Sequence, residues 1–551
     1  MKKFMKGFAI FTVALFSLVA FVSCGGGENA GTGNEVYLNT FTGAQPNTLD
    51  PSKGTDLYGN TVLLNIVEPL IRYDGQAEKI VPAGATEWKI SEDALTYTFK
   101  IRDMKWNDGK KVTSQDYACG IRRSADPNTA CPYANFMYPL ANGEAVVKGE
   151  KPVEELGVAT PDDSTLVLTL KSPCPYFLDT AMQRTYFPQR EDWIKKYGDT
   201  YATSPETSPM CGPFILESWT VNSVLNYVKN KDYWNAAKVK LDRINCQVIN
   251  DSNTIYNALL TGSLDLAGVP DPKWQAKFQD TTKWNHVQIP QADTVYWMVN
   301  CNTKYLKNAK IRRAISAALD REDLIKTCRH GIGLPAYWFA PPAVTCQGLT
   351  FNTVDGGATR KLIADVKDPR AEFEAGLAEL GLNEKPEDVV IKFVGSGVDQ
   401  EARTESEYIQ QVMKEKIGCT FDVYNKDWNE FINMVQIGDY DLAALAWGAD
   451  FNDPCNFLET CWSKAAAYPT GWVNKEFDSL IEKAQNSTSA EERKKLLMAA
   501  EDILINTDAA IIPITTRVAE SYRSVYVKGA SNNYFDWMGF QRIDTSSRPK
   551  N

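Results

Sequence analysis

Two hydrophobic periods are interleaved along this chain, and a fold made only of strands or only of helices cannot satisfy both. Leu95, Tyr97, Phe99 and Ile101 alternate with Thr96, Thr98 and Lys100, the period-two pattern of a half-buried strand. Leu166, Leu168 and Leu170 alternate with Thr165, Val167 and Thr169 after the turn Pro161-Asp162-Asp163. By contrast Ile311, Ala314, Ile315, Ala318 and Leu319 recur at helical spacing, and Asp320 followed by Asp323 predicts the cap of a second helix. Leu496, Leu497, Ala500, Ile503 and Leu504 repeat the helical stripe near the end. The class is therefore mixed α/β. With 551 residues, 44% of them apolar, the chain has material for several domains and too many core-forming side chains to remain disordered. A net charge of −10 argues against a surface built to neutralise phosphates, so nucleic acid is not an expected partner.

The first residues carry Lys2, Lys3 and Lys6, followed from Phe8 to Val22 by fifteen residues without charge. A positive end and an apolar stretch shorter than the ~20 residues of a spanning helix read as a secretory signal. Phe21-Val22-Ser23-Cys24-Gly25 follows, resembling a bacterial lipoprotein lipobox with Phe21 where Leu is usual. The expectation is a signal peptide over 1–23, acylation of Cys24 as a membrane anchor, and a flexible tether over 24–34. Loss of residues 1–23 removes three lysines and no acid, bringing the net charge to −13. The expected location is extracytoplasmic. No later stretch is apolar enough to span a membrane; the run Leu442 to Gly448 is seven residues, bracketed by Asp441 and Asp450.

Beyond Cys24 stand eleven cysteines with no Cys-x-x-Cys pair and only His286 and His330 as imidazoles, so no metal site and no cofactor is expected. An extracytoplasmic location permits disulfides, with Cys455–Cys461 and Cys119–Cys131 as near-sequence candidates. No Gly-x-Ser-x-Gly elbow, His-Glu-x-x-His, Walker loop or Gly-x-Gly-x-x-Gly is present. Carboxylate pairs are a tertiary property that sequence does not test. Binding is the expected activity, not catalysis.

Several longer phrases carry a resemblance. Asn65-Ile66-Val67-Glu68-Pro69-Leu70 and Trp88 precede YTFKIRDMKWNDGKKVTSQDY at 97–117, SADPNTACPY at 124–133 and DDSTLVLTLKSPCPYF at 162–177. CGPFILESW at 211–219, NKDYWNAAKVKLDRI at 230–244, GSLDLA at 262–267, IRRAISAALDRE at 311–322 and AWGADFNDP at 446–454 follow in order. The chain resembles the periplasmic oligopeptide-binding proteins of ABC importers, family 5 of the extracytoplasmic solute-binding proteins. The resemblance implies a two-lobed periplasmic-binding-protein fold of class II, with an inserted domain and a hinge between the lobes. Lobe I would combine 35–67, 192–293 and 516–545, domain II would be 68–191, and lobe III 294–515.

Read from the residues alone, Asp450 ends an apolar run and is either a partly buried carboxylate in need of a cation or a turn residue bonded to its own backbone. The resemblance implies that it pairs with the α-amine of a bound peptide. It also implies that Trp447 flanks the peptide, that Gly448 and Leu57 offer main-chain groups, that the Tyr133 hydroxyl holds its amino end, and that Asn300 contacts it from the hinge-side strand. Related proteins that clamp a short peptide's carboxylate place Arg and His in the strand region before the Trp; Val435, Gln436 and Ala444 stand there, so such a clamp is not expected. Tyr337, Trp338 and Phe339 are candidates for the cleft lining. The expectation is a monomeric, lipid-anchored receptor that gives oligopeptides to a transmembrane permease powered by cytoplasmic ATPases. Alternatives are a cleft for dipeptides, a metal chelate or an oligosaccharide and, in other classes, a secreted carboxylate-pair hydrolase or a surface adhesin.

Overall fold

The computed structural model describes residues 35–536 and 539–549. The leader, Cys24 and the tether lie outside the described residues. Among those described, no helix is long and apolar enough to cross a membrane.

Sequence alternation becomes strand where expected. Thr96–Ile101 and Thr165–Thr169 pair antiparallel in a four-stranded sheet with Ala85–Ile90 and Val158–Asp162. Tyr97, Phe99, Leu166 and Leu168 turn to one face and are buried there, while Thr98 and Val167 stay partly exposed on the other. The helical stripe at 311–319 forms Ala309–Ala318, where the Asn308 side chain accepts from the Lys310 and Ile311 N–H groups. Asp320 caps Arg321–Cys328 by accepting from the Asp323 N–H at 2.9 Å. Near the end the helix Ala490–Asp502 widens into a π-helical turn, Ile503–Thr507, with Leu497, Ala500, Leu504 and Ile505 buried.

Three further sheets contain three strands or more. Tyr37–Thr42 lies parallel to Arg243–Val248, which continues antiparallel through Val224–Lys229 to Phe214–Thr220. A three-stranded sheet runs Leu266–Gly268, Val518–Ser524, Trp284–Pro290. A six-stranded sheet runs in the order Leu334–Pro335, Ile511–Thr516, Asp293–Val299, Leu442–Gly448, Val390–Ser396, Thr420–Lys426. It is covered on both faces: Tyr296 and Met298 enter one apolar cluster, Trp297 and Val299 the opposite one.

The chain passes between the three- and six-stranded sheets twice, at Pro290–Asp293 and again at Thr516–Val518. The two crossings are tied together. The Gln291 N–H donates to the Arg517 carbonyl at 2.9 Å, the Arg517 N–H donates to Asp293 Oδ1 at 3.0 Å, and the Arg517 guanidinium pairs with Asp293. Paired short connections of this kind bend together, which is the geometry of a hinge.

Three expectations are corrected here. All eleven described cysteines are thiols, so neither candidate disulfide is formed. Tyr337, Trp338 and Phe339 are at most 3% exposed and belong to the core, not to a cleft. Val435 and Gln436 sit in the helix Trp428–Ile437, not in the strand before Trp447.

Candidate functional site

In an open α/β sheet the ligand end is the one where strands running in the same direction terminate, because loops there are free to vary while the sheet holds them. Val390–Ser396, Thr420–Lys426 and Leu442–Gly448 run parallel, so Ser396, Lys426 and Gly448 mark one edge of the six-stranded sheet. The antiparallel strand 293–299 begins at that edge, with Asp293 opposite Gly448.

The strand Leu442–Gly448 is unevenly paired. Against 293–299 its register is continuous, but against 390–396 only Leu442 and Ala443 have partners. Among the described residues, 444–448 have no strand on that side. Ala446 and Gly448 are exposed there, leaving backbone donors and acceptors open to an added extended chain.

Beyond Gly448 the Ala449 N–H donates to the Ala292 carbonyl at 2.8 Å, and Asp450 turns out of the sheet. Asn456, which no sequence pattern singles out, positions it. Its Oδ1 accepts from the Trp447 indole N–H at 3.1 Å and from the Asp450 backbone N–H at 3.3 Å. The turn role that competed for Asp450 belongs to Asp453, whose Oδ1 accepts from the Cys455 N–H at 2.9 Å. Asp453 is also held by a bidentate pair with Arg493, both contacts 2.6 Å and both side chains buried.

Asp450, Tyr133 and Leu57 meet on one cavity of about 330 Å³, together with Asp179, Arg184 and Tyr534. Leu57 opens the helix Leu57–Ile66 and is 49% exposed; Asp56 caps that helix by accepting from the Gly59 N–H at 2.6 Å. The Tyr133 hydroxyl donates to the Thr55 carbonyl at 3.3 Å, and the Arg184 guanidinium lies 5.1 Å from its ring centre. Gln183 donates to the Asp450 carbonyl at 2.5 Å.

Charge on the cavity wall is unbalanced. Arg72 is paired with buried Glu68, Asp536 with Arg542, and Asp56 is occupied as a cap. Among the described residues Asp450, Asp179 and Arg184 form no ion pair. Burial raises the Asp450 carboxyl above its ordinary value, the Asn456 hydrogen bond only partly offsetting it, although the residue still reaches solvent through the open cleft. Asp179 is raised well above the ordinary value by burial and then by the nearby Asp453 carboxylate. Arg184 stands on the same wall, so two carboxylates face one guanidinium outside the ion pairs, and the excess of carboxylates biases the cavity toward positive charge.

Trp447 and Gly448 lie on the strand leading to this cavity but not on its wall. Asn300 is elsewhere, a correction with a clear cause. It follows the far end of strand 293–299, roughly 20 Å from the ligand edge at ~3.3 Å per residue. Its Nδ2 donates to the Gly438 and Tyr440 carbonyls, both at 3.1 Å, and its Oδ1 accepts from the Asn302 N–H, so it braces a turn. Trp428, 61% exposed at the start of the helix that follows the strand Thr420–Lys426, stands near the same sheet edge but lines neither the cavity nor the open half-strand. Among the described residues no group of His, Cys, Asp and Glu is arranged to hold a metal.

A two-lobed α/β body with a carboxylate-rich cavity and, beside it, a strand open along one side has the arrangement of a solute-binding protein. Residues 79–469 match the model of bacterial extracellular solute-binding proteins, family 5 middle, and the chain belongs to that family. It is 31% identical to the oligopeptide-binding protein OppA of Bacillus subtilis, over 96% of this chain and 98% of that one. The structure of Listeria monocytogenes OppA bound to peptide superposes with a TM-score of 0.68 at 31% identity, covering 93% and 99% of the two chains. The unliganded open form of the murein tripeptide-binding protein MppA superposes with a TM-score of 0.79 at 24% identity, over 93% and 97%. These relatives are solute-binding proteins, not enzymes, and the family is extracytoplasmic.

Proposed function

We propose that this protein captures oligopeptides by their amino terminus in the cavity bounded by Asp450, Tyr133 and Leu57, and delivers them to a permease driven by cytoplasmic ATPases. The observation that carries the reading is the convergence of these residues, from three distant segments, beside a half-strand with open backbone groups. A peptide of any sequence offers an ammonium and a ladder of amides, and the cavity offers carboxylates and the strand offers amides. The peptide-binding proteins among the relatives support the same ligand class. The lobes proposed are 35–67 with 192–293 and 516–545, and 294–515, with 68–191 inserted and the crossings at 290–293 and 516–518 as the hinge. Closing about it brings lobe I onto the ligand held by lobe III, and the closed shape is what the permease reads. The protein acts as a monomer tethered through lipid on Cys24.

Calorimetry with a free pentapeptide and its N-acetylated form tests the reading. The free peptide binds and the acetylated one loses at least tenfold in affinity, because the neutral amide cannot pair with Asp450. Equal affinities would exclude amine recognition and turn attention to sugars or chelates. The bound peptide is recovered intact; its hydrolysis would support the enzyme reading instead.

A pH dependence follows. The pairing requires ionised Asp450, whose carboxyl is raised in the ligand-free protein. Peptide affinity therefore falls as pH drops through that raised value, and binding near it releases protons, read as a dependence of the calorimetric heat on buffer ionisation. Linkage has the opposite sign for stability. A carboxyl raised on folding favours the folded state most below its ordinary value of 3.8, and this contribution is lost as pH rises through the folded value. Ligand-free Asp450→Asn gains in melting temperature over the parent as pH rises across that window. An advantage constant with pH would contradict the desolvation of this carboxyl.

A further inference from the structure

A second cavity, of about 380 Å³, lies between the four-stranded sheet of residues 37–248 and the three-stranded sheet beside the hinge. It shares Leu57 and Tyr534 with the peptide cavity, so the two adjoin across those side chains. Its walls are mostly hydrocarbon, supplied by Val62, Leu225, Leu266, Ile289 and Phe540 among others. Arg523 is the one charged side chain among the described residues of its lining, and its donors are engaged: Nε to Ser521 Oγ, Nη1 to the Ala530 carbonyl and Asn532 Oδ1, Nη2 to the Ser531 carbonyl. Gln291, the polar residue at the hinge, donates to the Ile289 carbonyl at 2.8 Å.

Hydroxyls of Thr40, Thr42, Thr61, Ser521 and Ser531 interrupt a lining that is otherwise predominantly hydrocarbon, so the chamber favours an apolar group over a polar ligand. About 150 Å³ of apolar cavity already accommodates a benzene ring, so this one has room for a phenyl or indole group. The hinge strands form part of its wall through Ile289, Gln291 and Ala519, which places its filling in contact with the elements that move on closure. We infer that this chamber receives a bulky apolar side chain of the captured peptide, making the protein selective for peptides that carry a large aliphatic or aromatic residue at one position. The inference rests on the peptide reading given above and adds a side-chain preference to it.

Gly268 gives the test its handle. It lies on the chamber wall and on the same strand face as Leu266, two residues away. A Cβ added there meets nothing nearer than the Glu520 carbonyl at 4.0 Å, and its backbone lies outside the left-handed region, so a large side chain can be placed without strain. Phenylalanine is scanned through each position of pentaalanine, and affinities are measured by calorimetry on the native protein, on Gly268→Phe and on Ala519→Leu, which fills the chamber from the hinge side. On the native protein one position tightens binding by about ten- to a hundred-fold, the range expected for burying a phenyl ring. In both variants the ratio of pentaalanine to phenylalanine-peptide dissociation constants falls toward one. Either variant suffices if the other does not fold. A flat scan on a native protein that binds the peptides overturns the chamber's role while leaving amine capture standing, and so does a gain that survives filling. Failure of every peptide to bind the native protein removes the underlying reading and the inference with it.

Discussion

Asp450→Asn weakens peptide binding by about 2–5 kcal/mol, roughly 30- to 5000-fold, because it removes one partner of a charge pair formed away from bulk water. The size of the effect follows from the preparation of the site. The carboxyl sits against the cavity wall, where partial burial raises it while the residue stays open to solvent, and Asn456 fixes the adjoining backbone and Trp447, so little reorganisation is needed when an ammonium arrives. Asparagine keeps the shape and the turn while losing the charge, which separates recognition from folding. Calorimetry with a free pentapeptide reads the loss directly. If affinity changes by less than about twofold, the amine is held elsewhere, and Asp179, the other wall carboxylate without an ion pair among the described residues, becomes the residue to substitute.

Arg493→Met destabilises the fold by about 3–5 kcal/mol, since it strands the Asp453 carboxylate in an apolar interior. Both members are essentially inaccessible, their two contacts are 2.6 Å, and the guanidinium also donates to the Cys346 and Cys455 thiols at 3.3 and 3.0 Å. The pair sits beneath the turn that carries Asp450, so it supports the site without touching a ligand. Replacing both partners with apolar residues, Arg493→Met with Asp453→Leu, restores most of the loss, because an unpaired charge costs more than a missing pair. Urea denaturation of the single and double variants measures this. A double variant as unstable as Arg493→Met would show that the donors to Cys346 and Cys455, or the cap on the Cys455 N–H, matter more than the charge.

Local structure was legible where a single period dominated. The strands at 96–101 and 165–169 and the helix at 309–318 follow directly from side-chain alternation and capping chemistry. The site was legible only where a residue stood out against its surroundings, as Asp450 does at the end of an apolar strand. Asn456 escaped notice because an amide six residues beyond Asp450 shows its role only when the turn folds it back. Asn300 was misplaced for a related reason: sequence tells that a residue follows a strand but not which end of the sheet that strand reaches. The run Tyr337 to Phe339 carries aromatic character suited to either a cleft or a core, and packing against buried neighbours decided for the core. The apolar chamber beside Leu57 has no sequence signature, being built from two sheets and a C-terminal segment that approach one another only in the folded chain.

The central claim, that peptides are captured by their amino terminus between the lobes, is tested most directly by native mass spectrometry of the protein lacking residues 1–24, purified without denaturation, with any retained ligand sequenced. The account predicts copurifying peptides of narrow length range, varied sequence and unblocked amino termini, displaced from the Asp450→Asn variant. A protein that emerges empty and stays empty when offered a peptide library would contradict it.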